Sequence, residues 1–92
     1  MHRYLVERTF QDGGSLTRVA ASQEAFKSIL AANARVEATW IHSYVSSDGR
    51  KSFCLYDAPS PEAVRRAAGL SGLPLESITE VHTFDPYAVL RK

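Results

Sequence analysis

Residues able to hold a metal or move a proton recur along this chain: carboxylates at Glu7 and Glu80, imidazoles at His42 and His82, and a single thiol at Cys54. Brought together, imidazole nitrogen, carboxylate oxygen and thiolate form a ligand set for a divalent transition metal such as zinc, nickel or copper. Their spacing is not a chelating motif, since there is no Cys-x-x-Cys and no helical His-x-x-x-His. Each also has an ordinary role to set beside this one. A lone cysteine is commonly a small buried hydrophobe, because a thiolate needs a base or a positive field. The carboxylates can pair with basic neighbours, and the histidines can simply be hydrogen-bonded. Trp40, Tyr44 and Tyr56 offer ring faces to a bound cofactor or ligand, or serve as core or interface aromatics with satisfied polar tips. No catalytic residue is assigned, because a Cys54–His42 pair lacks a nameable oxyanion donor or orienting group. Gly13-Gly14 lacks the spacing of a phosphate loop, and Ser60-Pro61 reads as a helix cap rather than an anion site.

The elements that must position these groups follow from periodicity. HRYLVERT, from His2 to Thr9, alternates as a strand and stops at the turn signal Asp12-Gly13-Gly14. A helix follows with Ser22 as N-cap and Phe26, Ile29 and Leu30 on its apolar stripe; LTRVAAS also allows an earlier start near Leu16 or Thr17. Ala38 to Ser46 is rich in β-branched and aromatic residues, Ser47-Asp48-Gly49-Arg50 is hairpin chemistry, and Lys51 to Asp57 is the returning strand. Ser60 caps a second helix with Pro61 at its first position and Gly72 at its end. The last strand runs from Ile78 to Phe84, and Tyr87 to Lys92 is a C-terminal tail. Strand, helix, hairpin, helix, strand is the split-βαβ order. Right-handed crossovers turn it into an α+β, ferredoxin-like βαββαβ domain with two helices on one face of a four-stranded antiparallel sheet.

Alternation gives each strand two sets of side chains, and the more uniformly apolar set is expected beneath the helices. That choice puts Tyr4, Val6, Ile41, Val45, Phe53, Leu55 and Val81 under the helices. It leaves Leu5, Glu7, Trp40, His42, Tyr44, Cys54, Tyr56, Ile78, Glu80 and His82 on the open face. So aromatic a face needs a ligand or a partner.

With 92 residues, 45% of them apolar, the chain is one domain spanning 1–92. A domain this small buries only about 60 to 65% of its unfolded surface, which makes a homodimer through the open sheet face an expectation. A formal net charge of +1 with no basic arm excludes the usual footprint of nucleic-acid or anionic-membrane binding. There is no apolar run of membrane-spanning length and no hydrophobic signal core, and the one cysteine cannot form an internal disulfide. A cytoplasmic location is expected.

RYLVER (Arg3 to Arg8), TWIHSYVS (Thr39 to Ser46), FCLYDAPSPEAVRRAA (Phe53 to Ala68) and GLPLESITEV with Asp85-Pro86 resemble a family of small bacterial ferredoxin-like proteins of unknown function that includes a nickel-responsive, nickel-binding member. The Cys-x-Tyr-x-Ala-Pro segment, Cys54 to Pro59, is the clearest part of the match. The resemblance implies the ferredoxin-like fold, a homodimer and, for at least one relative, nickel. It makes Glu7 and Cys54 the more transferable ligand candidates, and His42 and His82 particular to this chain.

Three functions follow. The first is a non-catalytic binding protein holding Ni²⁺ or another divalent transition metal on the open face of a dimer. The second is a dimeric α+β barrel that encloses a small molecule, with isomerase-like or monooxygenase-like chemistry and His42 or Glu7 as acid or base. The third is an interaction module without a ligand.

Overall fold

The computed structural model describes residues 1–11, 16 and 21–90. The elements are β1 (His2–Thr9), α1 (Gln23–Arg35), β2 (Thr39–Val45), β3 (Lys51–Ala58), α2 (Pro61–Ser71) and β4 (Ser77–Glu80), followed by a short 3-10 helix, Pro86–Leu90. The expected Asp12-Gly13-Gly14 turn and most of the possible early helical start lie outside the described residues, although Leu16 is buried in the core. The sheet is antiparallel in the order β2-β3-β1-β4, so β2 and β4 are the edges, as the split-βαβ order requires.

Local chemistry explains where the helices begin and end. The Ser22 hydroxyl accepts from Ala25 N at 3.3 Å and the Ser60 hydroxyl from Ala63 N at 3.2 Å, each satisfying a first-turn amide. Pro61 supplies a preset φ at the start of α2, and Gly72 ends it at φ 72°, a left-handed conformation that a side chain disfavours. In the β2–β3 hairpin, Ser46 N donates to Lys51 O at 2.9 Å. Asp48 accepts from the Ser46 hydroxyl at 2.7 Å and from Arg50 N at 3.0 Å, which holds its carboxyl below the usual range.

Three strands of the sheet differ from the expectation. Register pairs Val6 with Cys54 and Tyr4 with Tyr56, so β3 turns Ser52, Cys54, Tyr56 and Ala58 under the helices and Phe53 and Leu55 outward. The apolar-set rule failed here because both faces of β3 are apolar enough to be buried. A β-bulge between Trp40 and His42 then shifts β2 by one residue: Trp40 lies over Tyr56 on the helix side, while His42 and Tyr44 lie beside Leu55 and Phe53 on the open side. The extruded Ile41 is left partly exposed at the edge instead of beneath a helix, and Val45 is also exposed.

On β4, Ile78 pairs with Val6 and packs against the core, Glu80 pairs with Tyr4 on the helix side, and Val81 donates its N–H to Arg3 O at 3.0 Å, opposite an open-face residue. All three are reversed from the expected faces. The strand is also shorter than Ile78 to Phe84: its ladder ends at Glu80, with one further bond from Val81 N to Arg3 O, and continued register would leave Phe84 with no residue opposite.

Candidate functional site

The structure divides the expected ligand set among three places. Cys54 is fully buried between sheet and helices, and its thiol donates to the Ser52 hydroxyl at 3.6 Å. Glu7 lies on the open face with its carboxylate 3.7 Å from Lys51 Nζ. His42 is on that face too, one strand beyond Leu55, with its ring edge-to-face on Tyr44 at 5.3 Å. Glu80 and His82 are instead on a cleft at the β4 edge. Among the described residues, no three of His, Cys, Asp and Glu gather into one metal-sized group.

The expected cofactor aromatics separate in the same way. Trp40 stacks on Tyr56, centroids 6.0 Å apart, touches Phe26 and donates its indole N–H to Ser43 Oγ at 2.8 Å. These are core rings with satisfied tips. Burial pushes the Tyr56 phenol up, and the Arg8 charge and hydrogen bond pull it back. Only Tyr44 of the three stands on the open face, exposed.

Sequence reasoning missed Arg8. Its guanidinium is almost fully buried, donates from Nη1 to Pro74 O at 2.7 Å and from Nη2 to the Tyr56 hydroxyl at 3.0 Å, and stands 5.9 Å from the Tyr56 ring centre. Nε has no partner among the described residues. This arginine ties the loop before β4 to the middle of β3. An arginine between Glu7 and Thr9 in an alternating strand is in phase with Tyr4 and Val6, and that phase was the available signal.

The open face has an apolar middle of Leu5, Phe53 and Leu55, with no helix over it among the described residues. Its ends are charged, one end balanced and the other carrying one more carboxylate than cations. At one end Arg3 donates to both Asp57 oxygens, at 3.0 and 3.3 Å, holding that carboxyl below its usual range and raising the guanidinium. At the other, Lys51 meets Glu7 and Glu76, and the Thr9 hydroxyl donates to Glu76 at 2.7 Å. The Thr9 bond and Lys51 lower the Glu76 carboxyl, while Glu76 raises the Lys51 ammonium.

The edge cleft, about 380 Å³, is lined by Met1, His2, Arg3, Asp57, Glu80 and His82, with Val81 and Thr83 beside them. His2, also missed from sequence, has its Nδ1 3.5 Å from Glu80 Oε2. Two imidazoles and a carboxylate thus share one solvent-open cleft, and nitrogen with oxygen donors suits nickel, copper or zinc better than calcium or magnesium. Among the described residues, only His2 and Glu80 of the three are within contact distance of one another; His82 lines the same cleft without completing a metal-sized trio. The set does not make a closed all-protein cage.

Two helices on one face of this sheet order define a ferredoxin-like α+β protein with an uncovered apolar sheet face and an imidazole-carboxylate cleft at its edge. The family model described as nickel responsive protein SCO4226-like matches residues 4–81, and the chain belongs to that family. The crystal structure of SCO4226 from Streptomyces coelicolor A3(2) superposes with a TM-score of 0.73 at 19% identity, covering 90% of this chain and 99% of that one. At that identity it supports the fold. No curated protein matches the chain. Among the described residues no helix is long and apolar enough to cross a membrane.

Proposed function

We propose that this chain is a non-catalytic binding protein for a divalent transition metal, nickel foremost, and that it works as a homodimer joined through the open sheet face. The single observation behind the metal reading is the edge cleft, where His2 meets Glu80 at 3.5 Å and His82 lines the same wall. The family's description as nickel responsive favours nickel over zinc or copper. Imidazole nitrogen and carboxylate oxygen from exposed side chains can close on the ion by rotation about their own bonds. Glu7 is a weaker candidate because Lys51 already neutralises it, and Cys54 because metal entry would require opening the core. The dimer reading draws on the apolar middle of the open face.

Calorimetry of untagged protein with Ni²⁺ tests the metal reading. Saturable micromolar binding, lost in Glu80→Gln with His82→Ala and retained in Cys54→Ala, is the expected result; no binding of nickel, zinc or copper at that level removes the proposal.

A further inference from the structure

Resting on the sheet-to-sheet dimer proposed above, we infer that the C-terminal arm, residues 81–90, crosses to the second copy of this chain and lies in the groove between its α1 and the start of its β2. The arm leaves the sheet beside the start of β1, and its short 3-10 helix buries none of its own residues. Phe84 is 80% exposed and Leu90 84%, with Val89 also exposed. Apolar side chains so displayed on a small domain call for cover. The matching groove, about 330 Å³, is lined by Phe26 and Leu30 of α1 and by Trp40, Ile41, His42 and Ser43 of β2. It lies on the sheet edge opposite the arm's departure, because the strand order is β2-β3-β1-β4.

Charge placement says how two copies meet. Arg3 and Glu7 are on β1, and Asp57 and Lys51 are opposite them on β3. A twofold axis parallel to the strands and between β1 and β3 lays Arg3 of one copy over Asp57 of the other, and Lys51 over the Glu7 and Thr9 end of β1. Each cation then faces a carboxylate across the interface, with Leu5, Phe53 and Leu55 packed between. An axis perpendicular to the strands can set Arg3 over Glu7, but it then lays Asp57 over Phe53.

The arm chooses between the two. The strand-parallel axis places β4 of one copy over β2 of the other. The arm departs at the Arg3 end, and the groove is at the Thr39–Ile41 end of β2, which register aligns with Asp57 and Arg3. Packed sheets are about 10 Å apart, and five extended residues followed by a five-residue 3-10 helix span up to about 26 Å, so the arm reaches. The perpendicular axis stacks β4 on β4 and carries each arm away from both grooves.

The test mixes untagged Leu30→Cys with untagged Val89→Cys under mild oxidation, beside sedimentation equilibrium of the unmixed variants. A cross-linked Leu30→Cys/Val89→Cys heterodimer is expected. Phe84→Asp with Leu90→Asp is expected to weaken dimerisation about tenfold or more while leaving the far-UV spectrum unchanged. Absence of the mixed cross-link, self-linkage of Val89→Cys alone, or wild-type affinity in the arm variant overturns the arm's placement. Phe53→Arg separates this from the parent reading: a monomer supports the sheet interface whatever the arm does, and an intact Phe53→Arg dimer, or a monomeric native chain, overturns interface and arm together.

Discussion

Arg8 carries a charge into the core, and its partners there are a carbonyl and a phenol rather than a carboxylate. Removing the phenol hydroxyl leaves a buried charged donor unsatisfied, so Tyr56→Phe should destabilise the fold by about 1–3 kcal/mol in urea titration. An unchanged midpoint would mean that water reaches the guanidinium. Cys54, fully buried, should resist a bulky thiol reagent in the native protein and react only on unfolding; rapid native labelling would contradict its place in the core. The surface carboxylates set the acid behaviour. Asp57, beside Arg3, and Glu76, beside Thr9 and Lys51, have folded pKa values below their unfolded ones. Their stabilisation is complete above the unfolded carboxylate range and is lost as pH falls through the folded pKa, below about pH 4. Asp57→Asn should therefore flatten the fall in urea midpoint on acidification, and an unaltered slope would remove Arg3–Asp57 from the cause.

The hairpin and the two helices are held by short-range chemistry, and this is why they were legible: Ser22, Ser60, Pro61, Asp48 and Gly72 act within a few residues of themselves. Gly72 is in the left-handed region, so Gly72→Ala should cost about 1 kcal/mol in thermal or urea unfolding, although no atom crowds the new methyl group. Loss of nothing at all would show that the α2 terminus relaxes freely. The faces were harder to read. A one-residue bulge in β2 and the phase of β3 depend on which residue pairs with which across the sheet, and both faces of β3 offer apolar side chains. The candidate site suffered accordingly. Cys54 and Tyr56 were assigned outward and are inward, His42 and Glu7 were placed on the correct face, and Glu80 and His82 proved to belong with His2, whose partnership depends on β1 and β4 being neighbours.

At the scale of the whole molecule, helices cover one face of the sheet and, among the described residues, no helix covers the other, while the edge holds His2, Glu80 and His82, the residues of the proposed metal site. These surfaces are separable by mutation. Changes at Phe53 should alter assembly more than metal affinity per chain, because Phe53 is in the apolar middle of the face while His2 and Glu80 are at its edge, where Arg3 and Asp57 border both surfaces. Changes at His2 and Glu80 should do the reverse. The most direct measurement is calorimetric titration of Ni²⁺ into untagged native protein, Cys54→Ala, and the double variant Glu80→Gln with His82→Ala. Edge-cleft binding predicts saturable micromolar uptake in the first two and its loss in the third. Uptake that survives in the double variant, or disappears with Cys54, would contradict it.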